Sequence, residues 1–374
     1  MSSILRRWRY ADYLLLLTLL ALLGYGLLMV YSSTFPSKDT SSVAFSDYFV
    51  KQGIFVAVGL LLMVAVACVD YRILHASAYF IYGTALLMLM VVMFTSHGQS
   101  EYGSQRWIDL GLFPLQPSEL AKPALVLALA RYFSDHETDV SAFRHFAGSA
   151  LLTAPAFALV YAQPDLGTSS TFLVLWFLMS MVAGVRFRYL ALTGAIGLAS
   201  VPIIWSMLKD YMRDRITIFL NPESDPLGQG YNIIQALISI GSGGMYGRGF
   251  LAGTQSQGHF LRIQYSDFIF SVLAEELGFM GALLLFALLL LLLLRIVRVA
   301  NLSRDAFGKL ASSGVAITLL FSIYVNVAAN LRLMPVTGIP LPFISYGGSA
   351  LITNLMAIGI VQSVLMRRKR FLPR

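Results

Sequence analysis

The sequence predicts an all-α integral membrane protein, with about ten transmembrane helices and one large extracytoplasmic loop between helices seven and eight. Three observations carry that prediction. The 374-residue chain is 57% hydrophobic, with a mean hydropathy of +0.72 and only 12% charged residues; a soluble domain carries about 25%, so this chain cannot clothe a soluble surface. Apolar runs such as Tyr13–Met29 and Gly281–Leu294 recur along it. About 20 helical residues cross roughly 30 Å of hydrocarbon, and lipid forces each segment to bond its backbone internally, so repeated runs of this length are helices. Finally, the charges collect between and beyond the runs.

In order, the spans fall at about 12–32, 49–69, 73–95, 118–134, 146–163, 166–184, 187–207, 267–295, 309–331 and 343–366. The first is too long for the apolar region of a signal peptide and reads as a retained span. The fourth is short, and its outer end is expected to merge with polar structure. Two connections, 96–117 and 208–266, are too long for simple turns, a length that marks functional or disordered segments. The second holds an amphipathic stretch, Tyr231–Ile240, with Ile233, Ile234, Leu237 and Ile238 at helical spacing, as in a helix lying on a membrane or capping a bundle. No internal repeat is evident. The whole of 1–374 reads as one polytopic membrane domain, its large loop at about 208–266.

The formal net charge is +8, but its placement argues against nucleic acid. Arg6, Arg7 and Arg9 precede the first span, and Arg367, Arg368, Lys369 and Arg370 follow the last. Such clusters set topology and attract anionic head groups. Arg186, Arg188, Arg295, Arg298, Arg304 and Lys309 flank two internal loops on the same side. Both termini are therefore expected in the cytoplasm. Cys68, the single cysteine, leaves neither a disulfide framework nor a cysteine-based zinc site.

Ionisable residues inside or at the mouth of a span are functional candidates by default. On the outer side they are Arg106, Glu119 and Lys122; Asp165 in Gln-Pro-Asp-Leu-Gly; Arg213 and Arg215 in the large loop; and Asp267, followed by Glu275 and Glu276. Each also has a structural reading. Glu119 and Lys122, three apart on one helix face, make an ion pair as readily as a site. Asp165 and Asp267 both stand where a helix N-cap would. Glu275, about 12 Å below Asp267, is expected to bond internally. The run Gly241–Gly249 reads as a flexible turn before an anion nest. Carboxylates and arginines gathered on one side of a membrane suit an amphiphilic substrate with an anionic head, since arginine forks bind phosphate and a carboxylate can take a proton from a sugar hydroxyl.

These stretches resemble the SEDS family, and within it the branch of cell elongation. The matching strings are R-W-I-D-L-G (106–111) with Q-P-S-E-L-A-K (116–122), Q-P-D-L-G-T-S (163–169), G-Y-N-I-I-Q (230–235) with I-G-S-G-G (240–244) and G-T-Q (253–255), D-F-I-F-S-V-L-A-E-E-L-G (267–278), and P-V-T-G-I-P-L-P-F-I-S-Y-G-G-S (335–349). The resemblance implies a peptidoglycan glycosyltransferase that polymerises lipid II into β-1,4 glycan strands on the outer face of the cytoplasmic membrane, inverting in a single displacement and releasing undecaprenyl diphosphate. It implies Asp267 as the catalytic base, and Lys122, Glu119, Arg106, Arg215 and Asp165 as substrate-binding candidates. It also implies a divalent cation, magnesium or manganese, at the diphosphate, a class B penicillin-binding protein as transpeptidase partner, and other membrane proteins of the elongation complex. The sequence departs from the family pattern ahead of Asp267, where Arg262–Ser266 replaces a run with Glu and His, and at Ala328 and Arg332. Ser266 can replace a threonine hydroxyl there. A lipid II flippase and a non-catalytic scaffold are the rival readings.

Overall fold

The computed structural model describes residues 8–35, 46–94, 99–101, 104–109, 114–207, 210–225, 228–258 and 260–368. The basic residues Arg6, Arg7, Lys369 and Arg370, and the Leu110-Gly111 end of the first motif, lie outside them. A helix stands at each of the ten expected spans: α1 (Tyr13–Ser33), α2 (Asp47–Cys68), α3 (Tyr71–Phe94), α4 (Pro117–Asp135), α5 (Phe143–Ala162), α6 (Leu166–Ala183), α7 (Phe187–Met207), and, after three shorter helices, α11 (Ile269–Leu302), α12 (Ala306–Asn330) and α13 (Gly348–Met366). The three shorter ones are α8 (Asp210–Leu220), α9 (Gln229–Gly243) and α10 (Thr254–Gln257). Among the described residues eight helices are long and apolar enough to cross a membrane. α4 falls short because it carries Glu119, Lys122, Arg131 and Asp135.

Local chemistry sets the ends. The side chains of Asp12, Ser46, Asp165 and Asp305 accept from the backbone N–H three residues on and start α1, α2, α6 and α12, satisfying donors that helix starts leave unpaired. α13 is the most enclosed span. It packs on α2, where Gly59 admits Leu355 and Gly359 admits the Met63 backbone, the small-residue contact that lets membrane helices approach closely. α4 and α12 complete the centre of the bundle.

The connection 96–117 differs from a plain polar loop. It contains a small antiparallel sheet in the order β1 (Gln99–Glu101), β2 (Ser104–Asp109), β3 (Pro114–Leu115). The amphipathic stretch of the large loop is α9, packed on α11.

The glycine run is not a flexible turn. α11 breaks at Gly278 (φ 64°, ψ −163°), a conformation other residues resist. The break frees two carbonyls and two N–H groups. The N–H of Arg248 donates to the Glu275 carbonyl (2.9 Å) and that of Gly249 to the Glu276 carbonyl (2.9 Å). In return Phe279 donates to Gly244 (2.9 Å) and Met280 to Met245 (3.1 Å). Backbone polar groups at membrane depth must be satisfied within the protein, and this splice does so.

Glu275 and Glu276 hold the following segment in place, and Glu275 bonds internally as expected. Glu275 accepts from the N–H of Gln255 (2.7 Å) and of Ser256 (2.9 Å) and from the Thr254 hydroxyl (3.1 Å), capping α10 from a distance. Glu276 accepts from the Ser32 hydroxyl (2.6 Å), the Gln257 amide (3.1 Å) and the Leu251 N–H (3.3 Å). Both are fully buried. Glu276→Ala would strand the buried Ser32 hydroxyl and the half-buried Gln257 and Leu251 donors, at up to about 1–3 kcal/mol each. Its melting temperature in detergent is expected to fall well below that of Glu276→Gln, which keeps an acceptor oxygen. Equal melting of the two variants would show that the clamp contributes nothing.

Candidate active site

Asp267 stands two residues before α11, where the long loop meets the bundle. Its peptide is tied on every side. The Asn330 amide donates to its carbonyl (2.8 Å), and so does that of Asn326 (3.3 Å). The Ser345 hydroxyl donates to the Ser266 carbonyl (2.7 Å), and the Tyr346 N–H to the Tyr265 carbonyl (2.9 Å). Asn326 also donates to the Ile339 carbonyl (3.0 Å). The aspartate is thus fixed to α12 and to the 335–347 loop at once.

The carboxylate itself is less committed. The Ser266 hydroxyl donates to Oδ1 (2.7 Å), the role available to the residue that departs from the family pattern. The N-cap position of α11 falls on Phe268, and among the described residues no side-chain bond caps it, so Asp267 is not the N-cap the sequence allowed. Gly338 lies beside Oδ2, where a Cβ would come within 3.9 Å. The side chain keeps partial contact with solvent, yet the protein packed around it pushes the carboxyl above its ordinary value. The Ser266 hydroxyl and the Arg215 guanidinium pull it back in part. Arg215, from α8, is therefore the sequence-expected arginine that the fold brings to this aspartate.

The other candidates occupy neighbouring stations. Arg106, on β2, donates through Nε to the Gln163 carbonyl (3.0 Å) and through Nη2 to that of Pro164. Asp165 spends both oxygens on Thr168, accepting its N–H and its hydroxyl at 3.0 Å each. Those two residues shape the α5–α6 turn, and Gly167 then packs against Thr337, next to Gly338. Glu119 and Lys122 form a buried ion pair of 2.7 Å on α4. Lys122 also lines a narrow crevice with Val126, Thr318, Thr353 and Asn354. Arg213 donates to the carbonyls of Trp205 (3.2 Å) and Ser206 (2.7 Å) at the end of α7. Arg332, read from sequence as a phosphate contact or a snorkelling residue, donates to the Leu220 carbonyl (3.1 Å) at the end of α8.

Sequence reading missed Asn326 and Asn330. Two amides four apart in an otherwise apolar span face the same way and are costly there without a task; that was the available signal. Among the described residues no three His, Cys, Asp or Glu side chains gather into a metal cage. A cation here would need the substrate's own phosphates as ligands, the usual habit of magnesium.

Fold and site together define a polytopic helical membrane protein with a partly buried, rigidly held carboxylate at one mouth of its bundle. The chain belongs to the FtsW/RodA/SpoVE family, described as cell cycle proteins, whose profile it matches over residues 13–370. It is 39% identical to the peptidoglycan glycosyltransferase MrdB of Escherichia coli over 361 residues, 96% of this chain and 95% of that one. Among solved structures it resembles a chain from a peptidoglycan synthase complex that coordinates polymerization and crosslinking (TM-score 0.80, 35% identity, 96% and 98% of the two chains). It also resembles the rod shape determining protein RodA of Thermus thermophilus (TM-score 0.71, 31% identity, 96% and 98%).

Proposed function

We propose that this chain is a peptidoglycan glycosyltransferase of cell elongation, polymerising lipid II into β-1,4 glycan strands with Asp267 as general base. The observation that carries the reading is Asp267 itself: a carboxylate with raised proton affinity, an immobilised backbone and an oxygen facing the small residue Gly338. A base works best when its proton affinity is tuned toward the working pH and its position is fixed.

In this mechanism Asp267 takes the proton of the acceptor sugar's 4-hydroxyl. The freed oxygen pair attacks the donor's anomeric carbon. The bond from that carbon to the diphosphate oxygen breaks, and undecaprenyl diphosphate departs with the electron pair. One displacement turns an α-linked donor into a β-linked product, so no sugar–enzyme bond is needed. Arg215 would meet the leaving phosphates, which arginine binds through paired N–H donors; Lys122 would offer further N–H donors from the α4 station. When bound, a divalent cation would neutralise the diphosphate as it leaves. A class B penicillin-binding protein would crosslink the emerging strand, and the site faces outward from the cytoplasmic membrane with both termini inside.

Purified full-length protein given labelled lipid II, with and without such a partner, is expected to yield a glycan ladder on gels. Lipid II transfer across vesicles without any polymer, partner included, would replace the reading with a transporter. Orientation is checked in a Cys68→Ser background: Arg262→Cys should react with a membrane-impermeant thiol reagent from the extracytoplasmic side only.

A further inference from the structure

The far end of α11 holds a polar cavity that the proposed chemistry does not use. It lies where α1 begins and α13 ends and has a volume of about 210 Å³, against roughly 10–15 Å³ for a single-water site. Its wall includes Asp12, Leu14, Arg295, Arg298, Leu302 and Arg368. Asp12 is the one carboxylate of that lining, and it is already engaged. Its Oδ2 accepts from Arg295 Nη2 (2.7 Å) and Nε (2.9 Å), and its Oδ1 caps the Leu15 N–H (3.0 Å). Its backbone exchanges hydrogen bonds with the Gln362 amide (3.1 and 3.3 Å). Three guanidiniums therefore face one spent carboxylate. Arg298 is exposed and among the described residues has no acidic partner, while the buried Nε of Arg368 has no acceptor there.

The depth of the cavity says what fills it. The apolar run of α11 ends at Leu294. From Gly278 to Leu302 the helix advances about 36 Å, more than the roughly 30 Å hydrocarbon core, so its last turns rise into the head-group layer. Among the described residues the rim is apolar and open: Tyr13, Leu14 and Leu302 are exposed, and Leu17 and Leu20 continue the exposed face down α1.

We infer that this cavity binds the phosphate of an anionic phospholipid, gripped by Arg298 and Arg368, with the acyl chains lying along Leu14 and Leu17. Guanidinium forks match phosphate oxygens, and basic pockets between membrane helices on this kind of face take acidic head groups. A zwitterionic lipid brings its own ammonium into a positive field and is disfavoured.

Native mass spectrometry of the full chain in detergent tests this with phosphatidylglycerol, phosphatidylcholine and inorganic phosphate as probes. Phosphatidylglycerol should be retained at least about fivefold more than phosphatidylcholine. Arg298→Gln should weaken its binding about fivefold, and Arg298→Gln with Arg368→Gln about 25-fold, following the usual contribution of one basic residue at an anionic surface. Arg298 is exposed, so its single variant reads binding without a folding defect. Phosphatidylglycerol should also raise the melting temperature of the wild type more than that of the double variant. Equal retention of phosphatidylcholine, unchanged binding by Arg298→Gln, or full displacement of the lipid by millimolar inorganic phosphate overturns the assignment.

Discussion

Asp267→Asn is expected to stay folded and lose nearly all polymerisation. Asparagine keeps an oxygen for the Ser266 hydroxyl, which now donates to Oδ1 at 2.7 Å, and leaves the backbone ties to Asn326 and Asn330 untouched. It cannot accept a proton at neutral pH, and general-base catalysis is worth about 10²–10⁴-fold. Asp267→Glu moves the charge by a methylene, and misplacement by about 1 Å can cost 10²-fold, so little rescue is expected. The pH dependence has a defined sign. A carboxyl raised by burial must still be ionised to act, so the acid limb of the rate profile should lie above that of a free aspartate. Arg215→Gln removes a group that lowers it and should move the limb further toward neutral. Stability runs the other way. A folded-state value above the unfolded one gives stabilisation that is complete at low pH and lost as pH rises through the folded value. Asp267→Asn escapes that loss and should melt at or above the wild-type temperature at neutral pH. Near wild-type polymer from Asp267→Asn would remove Asp267 from the chemistry.

The apolar runs were enough to place all ten long helices, because hydrocarbon leaves a helix no alternative. Their ends were less legible. The last span was expected from 343, but α13 starts at Gly348; Pro340, Pro342 and the left-handed Phe343 (φ 67°) keep the 335–347 segment as an ordered loop that backs Asp267. The eighth span runs on to Leu302 rather than 295, since arginines leaving the membrane do not end a helix. Hidden altogether was the splice at Gly278, where one glycine in an apolar run looks merely tolerated and its partners lie about thirty residues earlier. The strands 99–115 are too short to show a period. In the site, motif spacing pointed to the right stretches, but sequence could not decide between task and scaffold for each residue. Geometry does so for Arg106 and Asp165: each is held by the α5–α6 turn, so their effect on any substrate passes through the shape of that turn.

Lys122 is where scaffold and function must be separated by experiment. The ammonium is 2.7 Å from Glu119, and both side chains are almost wholly enclosed. Lys122→Ala alone leaves an uncompensated carboxylate, a loss of about 3–5 kcal/mol, so a simple fall in activity would say little. Removing both charges with Glu119→Gln and Lys122→Met avoids that penalty, because a buried pair replaced by neutral groups of similar volume is often no less stable. The double variant should therefore insert and melt near the wild type. Lysine has three donors; among the described residues its hydrogen bond goes to Glu119, and the ammonium borders the crevice between α4, α12 and α13. If those remaining donors serve the substrate, the folded double variant should still polymerise lipid II at least about tenfold more slowly than wild type, the loss expected for about 1.4 kcal/mol of transition-state stabilisation. Thermal melts and gel ladders from the same preparations give both readings. A double variant that melts normally and polymerises at full rate would make the pair purely structural and leave Asp267 and Arg215 to carry the chemistry.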